Sequence, residues 1–306
     1  LDILPPHRHR VYGLTIAAWI PFPELPLAPA DAAVDAVFRL GEVPLELPEC
    51  LVRKAHFQAA PGKLLVWMDA VARFLVQEGR EILVQPLPGA QESDLRELLL
   101  CSPMGALLHQ RGVLPLHASV IVTEQGAVAF AGRSGHGKST LAALFQRRGH
   151  PVLADDLAVV TFDEAGRPMV APGYPQLKLR PDSLAQLGHG SAQLPRVRAP
   201  REKFAFAFPE AFHAEPLPLV RLYVLEACQS ADGLRLETLP VAEKLRHLLT
   251  HTYRKGYLAG LGRKPAHFQM VARLVTAVPA KLVKRPAEDG FQLDELAGLL
   301  AADFGS

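Results

Sequence analysis

The chain holds only three cysteines in 306 residues, Cys50, Cys101 and Cys228. Odd in number and far apart, they exclude a disulfide framework or a cysteine-built zinc site and fit reduced, mostly buried thiols. Long apolar runs are missing as well. Charge or proline interrupts each one well short of the roughly 20 residues that a membrane helix needs, so no membrane association is expected. Nor does one sign of charge dominate: 33 Lys and Arg against 31 Asp and Glu leave a formal charge of +2. That gives no global electrostatic footprint for nucleic acid, and the dense basic cluster "HRHR" at 7–10 reads as a solvated terminus. No repeat or low-complexity tract stands out. What is present is an ordinary globular balance, 49% apolar and 21% charged, over a length that suggests about two domains. No secretory signal pattern precedes the apolar stretches, and a cytoplasmic protein is expected.

Residues 1–90 read as a smaller β-rich or mixed α/β domain, an accessory that is a candidate for substrate binding. "RVYGLTIAAWIPFPEL" gives a strand and a proline-bounded turn, "LVRKAHFQAA" and "ILVQPL" have strand character, and "DAVARFLVQEG" has helical spacing. "PLPGAQ" at 86–91 forms a joint, after which "ESDLRELLLCSPMGALLHQRG" carries an apolar stripe and ends on Gly112 as a helix does. From Leu114 strands alternate with helices, which argues for an α/β layered domain over 91–306. The proline-rich, basic stretch between about 188 and 218 reads as a long loop or lid over a site.

The chemistry concentrates in "AVAFAGRSGHGKSTLAALFQRRGHPVLADDLAVV", residues 127–160. Gly132, Gly137, Lys138 and Ser139 satisfy G-x-x-x-x-G-K-[ST], with an apolar strand before and a helix-forming run after. Gly132, Arg133, Ser134, Gly135, His136, Gly137, Lys138, Ser139 and Thr140 are therefore the candidate nucleotide-binding residues. Glycines let backbone N–H groups turn toward phosphate oxygens, Lys138 supplies a point charge, and the Ser139 hydroxyl suits Mg²⁺. A GTPase switch is disfavoured, because "DEAG" at 163–166 sits where a hairpin turn is expected and no N-K-x-D follows. The L-S-G-G-Q signature of transport ATPases is absent too.

Asp155 and Asp156 close the apolar run "PVLA", at the strand edge where open α/β sheets bind ligands. Successive strand residues face opposite ways, so both carboxylates can serve one site only if the chain turns there. One would then hold Mg²⁺ and the other accept a proton from an incoming hydroxyl.

His117, the "GRSGHGKS" loop, "RRGH" at 147–150 and "LADD" at 153–156 together resemble the kinase domain of bacterial HPr kinase/phosphorylase and its relatives. The order and intervals agree, with His117 15 positions before Gly132 and Asp155 23 after it. The resemblance covers about residues 114–160. It implies a P-loop kinase domain of the HPr-kinase and PEP-carboxykinase type, using ATP and Mg²⁺. It also implies Asp156 as the base on an acceptor serine, Asp155 as the support of the metal and His117 as the group that orients or polarises the base. Thr140 stands where those enzymes commonly carry Glu, and their phosphorylase signature is not recognisable in "APGYPQLKLRPDS". "YGLTIAAWIPFPEL", "LHASV" and "GYPQLKLRPDS" look closer to a divergent branch, some members of which phosphorylate a serine of lasso-peptide precursors.

An additional cation over the γ-phosphate is expected from Arg201, Lys203 or Arg254. His247 and His251 share a helix face and suit contact with solvent or acceptor better than a metal. The reading is a serine kinase acting on a peptide or small protein, with no nucleic-acid partner and with homo-oligomerisation left open. A small-molecule kinase and a non-catalytic ATP-binding regulator are the alternatives.

Overall fold

The computed structural model describes residues 4–188, 190, 194–198, 201–228, 233–286 and 293–305, with the backbone alone at Arg198, Arg201 and Glu202. The chain divides into two compact units, Leu1–Pro115 with Tyr253–Met270 and Leu116–Thr252 with Val271–Ser306.

The first unit is built on eight strands: β1 (His7–Val11), β2 (Leu14–Ala18), β3 (Ala36–Leu40), β4 (Val52–Lys54), β5 (Phe57–Ala60), β6 (Lys63–Met68), β7 (Ala72–Gln77) and β8 (Glu81–Pro86). They form one sheet in the order β1-β2-β3-β8-β7-β6-β5-β4, antiparallel except where β3 lies parallel to β2 and β8. Two sequence expectations fail here. "DAVARFLVQEG" is not helical, because Ala72, Phe74 and Val76 alternate inward along β7 and pair on both sides with β6 and β8. The run 92–112 is two helices, α1 (Glu92–Leu99) and α2 (Ser102–Gln110), since Pro103 can open a helix but not continue one.

The domain boundary expected at residue 90 lies inside this unit. Buried Gln110 ties α2 to the sheet, its Oε1 accepting from Gly79 N–H at 2.7 Å and its Nε2 donating to Val76 O at 3.1 Å. The returning segment packs in the same way: the Tyr257 ring meets Phe57 edge-on at 4.8 Å. Gly260 lies so close to the sheet that a Cβ there would stand 2.4 Å from that of Ala59.

Strand β9 (Leu114–Leu116) leads into the second unit, which contains β10 (Ala118–Thr123), β11 (Gly126–Gly132), α3 (Lys138–Arg147), β12 (Val152–Ala154), β13 (Ala158–Phe162), β14 (Pro168–Ala171), β15 (Gln176–Leu179), α4 (Pro181–Gln186), β16 (Arg196–Arg198), β17 (Arg201–Ala207), β18 (Leu217–Cys228), β19 (Arg235–Thr238), α5 (Val241–His251), the second half of α6 (Lys264–Ala277), β20 (Ala280–Pro286) and α7 (Leu293–Phe304). Its central strands run β12-β10-β11-β18, with β20 parallel to β18 and β19 outside β20. Every residue of β11 is buried, as expected of a strand covered on both faces. Phe130 of β11 stacks on Phe145 of α3 at 5.7 Å and on Tyr223 of β18 at 5.8 Å.

Residues 163–167 turn the β13–β14 hairpin, as anticipated, with Gly166 at φ 80°. The stretch 188–218 is not a structureless lid. Residues 189, 191–193 and 199–200 lie outside the described residues, but β16 and β17 join β15 in a three-stranded ribbon, β15-β17-β16. The alternation in "KFAFAF" is Phe with Ala, both apolar, which hides the period of two that would have marked a strand.

Candidate active site

Strand β11 delivers the chain to the loop 133–137, and α3 begins at Lys138. Gly137 caps the helix at φ 83°, a left-handed conformation that a side chain would strain. The loop is pinned to the neighbouring strand through His136, whose Nδ1–H donates to Leu225 O at 2.9 Å.

Lys138 is buried, and its Nζ donates to Gly132 O at 2.9 Å, Arg133 O at 3.1 Å and His117 Nε2 at 3.0 Å. Burial pushes its pKa down to about 8 despite the pull of Asp156 and Asp155. His117 is held in one tautomer. Its Nδ1–H donates to the backbone O of Asp156 at 2.9 Å, which leaves Nε2 as the acceptor for the ammonium. Burial, and then Lys138, lower the His117 pKa and so favour that neutral form.

The chain does turn at the two aspartates. Leu157 N–H donates to Asp155 O at 2.8 Å across Asp156, which sits at φ 64°. A positive φ under such a two-residue-span bond marks a tight γ-turn, a conformation that costs about 1–3 kcal/mol and that proteins keep where function requires it. The two carboxylates are thereby given different surroundings. Asp155 is buried, its Oδ1 accepting from Ser119 Oγ at 2.6 Å and Ser139 Oγ at 2.8 Å, and its Oδ2 from Lys178 N–H at 3.0 Å. Asp156 faces an open cleft, with its Oδ1 3.4 Å from His117 Nδ1. Burial would raise the Asp156 pKa, but Lys178, His117, Lys203 and Lys138 together outweigh it and hold the carboxyl below its usual range.

The cleft has a volume of about 390 Å³, within the size range of small-molecule sites. Ser134 through Thr140, His117 and Asp156 line it; Gly132 and Arg133 do not. Ser139 Oγ and Asp155 Oδ1 put two hard oxygen donors side by side, a set that fits Mg²⁺, which takes one or two protein oxygens and completes its shell with phosphate and water. Among the described residues no group of three or more His, Cys, Asp and Glu could hold a metal by itself.

Of the three cation candidates, Lys203 lines the cleft, the side chain of Arg201 lies outside the described residues, and Arg254 belongs to the first unit. Arg254 lies over the Tyr253 ring at 5.5 Å and is not among the cleft residues. His247 and His251 do not reach solvent as expected. They are buried and stacked 6.1 Å apart on the inward face of α5.

Reading the sequence missed Lys178 and Arg285, which also line the cleft, and Ser119 behind it. Ser119 alternates with His117 on one extended stretch, a signal visible only once the strand's pairing is known. Lys178 and Arg285 lie 39 and 146 residues from Ser139, and no local pattern links them to the loop.

Among solved structures, the chain matches the HPr(Ser) kinase/phosphatase from Coxiella burnetii at 12% identity and a TM-score of 0.34, over 62% of this chain and 90% of that one. An overlap of this extent carries no argument about function. No protein-family model and no curated protein sequence matches the chain.

Proposed function

We propose that the protein is an ATP- and Mg²⁺-dependent kinase that transfers the γ-phosphate to a serine hydroxyl of a peptide or small protein, lasso-peptide precursors among the candidates. One observation carries the reading. A single turn places Asp155 on the Ser139 hydroxyl and Asp156 in the cleft beside Lys138 and His117.

The division of labour follows from those positions. Asp155 and Ser139 would hold Mg²⁺, which when bound neutralises charge on the phosphate oxygens. Lys138 offers its ammonium to the outer phosphates. Asp156, ionised at neutral pH, accepts the proton of the attacking serine, whose oxygen bonds to the γ-phosphorus as the bond to the leaving ADP oxygen breaks. A depressed pKa makes Asp156 a weak base, yet a loose phosphoryl-transfer transition state requires little proton removal in advance. His117 keeps the base in place through the Asp156 carbonyl.

The test is intact mass of candidate acceptors after incubation with ATP and Mg²⁺, alongside nucleotide affinity. Asp156→Asn is expected to lower transfer by about 10²–10⁴-fold with ATP affinity retained. Full transfer by that variant would remove Asp156 as the base. ATP binding by the wild-type protein with no transfer to any peptide, protein or small hydroxy compound would sink the kinase reading.

A further inference from the structure

The cleft beside the glycine-rich loop does not end at Thr140. A second cavity of about 370 Å³ adjoins it, sharing Gln186 of α4 and Leu293 of α7 with the cleft and otherwise lined by Leu144, Arg147, Arg148, Leu187 and Asp294. Thr140, Leu144 and Arg147 follow one another on α3 at spacings of four and three, and so share one face of it. That face leads away from the loop, with Leu144 about 6 Å farther along the axis than Thr140. Ser183, which lines the cleft, and Gln186 lie three apart on α4 and continue the facing wall in the same way. Three bonds hold the neighbouring elements around this space. Thr140 Oγ1 donates to Ser183 Oγ at 2.8 Å, Arg147 Nη1 to Leu187 O at 2.9 Å and Arg148 Nη2 to Asp294 Oδ1 at 2.6 Å. The cavity thus offers Leu144, Leu187 and Leu293 as apolar walls and the Gln186 amide as both donor and acceptor. Apolar walls with a few polar groups suit a flat heteroaromatic ring.

We propose that this cavity receives the base and ribose of the nucleotide whose phosphates lie on the glycine-rich loop. The base rests on Leu144, Leu187 and Leu293, with its polar edge on the Gln186 amide. This placement rests on the nucleotide-binding part of the kinase reading and not on the transfer step. With the γ-phosphate beside Asp156 and Lys138, the remaining phosphates run toward Thr140, and the nucleoside follows α3 into the cavity. An acceptor peptide is the less suitable occupant, because its serine has to reach Asp156, which does not line this cavity.

The experiment is calorimetric titration of the full chain, in Mg²⁺, with ATP and with inorganic tripolyphosphate. Two variants run alongside the wild type, with thermal melts reporting folding: Leu293→Ser removes a wall, and Gln186→Trp fills the shared opening. ATP is expected to bind at least about tenfold tighter although it carries less charge, a factor that roughly 60 Å² of buried apolar surface supplies. Each variant is expected to weaken ATP by about threefold to tenfold and to leave tripolyphosphate affinity unchanged. Equal binding of the two ligands by the wild type would overturn the proposal. So would variants that bind ATP like the wild type, or that weaken both ligands alike. If neither ligand binds, the nucleotide reading of the loop fails and the placement of the base fails with it. The expected pattern without transfer to any acceptor would count against the kinase alone.

Discussion

Asp155 carries two hydroxyls on one carboxylate oxygen, and only one of them, that of Ser139, comes from the first turn of α3 behind the glycine-rich loop. Ser119 supplies the other from β10, fully buried, at 2.6 Å. Its role is positional: it fixes the rotamer of the carboxylate that Ser139 shares. Groups that orient a metal ligand typically change metal affinity by about 10–100-fold when removed. On the proposed kinase function, with Asp155 holding Mg²⁺, Ser119→Ala is expected to raise the Mg²⁺ concentration for half-maximal transfer by about tenfold while leaving the rate at saturating Mg²⁺ much closer to normal. A Mg²⁺ titration that superimposes on the wild type would show that the Ser119 bond has no such role. The tautomer of His117 follows from the same kind of accounting, since a carbonyl oxygen can only accept and so leaves Nε2 to face Lys138.

At the scale of elements, the site depends on how firmly α3 is held against β11. Phe145 is the fastener, stacked on Phe130 and tilted against Phe304 of α7 at 5.4 Å, with His150 edge-on at 5.5 Å. Phe145→Ala opens a cavity at the junction of three elements. A loss of about 3–5 kcal/mol in unfolding free energy is expected from urea denaturation. A change under about 1 kcal/mol would mean that α3 is held elsewhere.

The strand, loop and helix were legible because each carries a local signal: a continuous apolar run, glycines at the turn and a helix-forming stretch behind Lys138. β7 was misread because "ARFLVQ" packs apolar residues at both spacings, and only its pairing with β6 and β8 decides between them. The ribbon was misread because basic residues and proline mask its strands.

For the whole molecule, buried histidines are expected to make stability fall in acid. His109 in the first unit is pushed down to about 4, by burial first and then by His267, against the opposing hydrogen bond from its Nε2–H to Tyr253 O at 2.7 Å. His251 in the second unit is likewise pushed down to about 4, by burial and then by His247 and Lys138. Unfolded, each would take up its proton near pH 6.5; folded, not until near pH 4. Between those values the unfolded chain binds more protons, so stability is full above pH 6.5 and falls as the pH drops toward 4. Each histidine accounts for up to roughly 3 kcal/mol. Both units carry such a group, so neither is expected to survive acid independently of this effect. Urea midpoints measured from pH 7 to pH 4 should decline, and His109→Gln should flatten the slope by about one proton. A midpoint that stays level, or the same slope in that variant, would contradict the assignment.

What the sequence determined by itself is local. Gly132, Gly137, Lys138 and Ser139 of the glycine-rich motif, the paired aspartates at a strand end and the histidine ahead of them all lie within 40 residues, where covalent connection limits the arrangements they can take. Tertiary structure decided whatever depends on distant segments meeting. It brought Lys178, Lys203 and Arg285 to the cleft walls, placed Ser119 behind Asp155 and returned Tyr253–Met270 to the first unit. It also gave Asp155 and Asp156 their unlike surroundings. Adjacent in the chain and identical in chemistry, they differ only because a turn at φ 64° buries one among hydroxyls and exposes the other to the cleft.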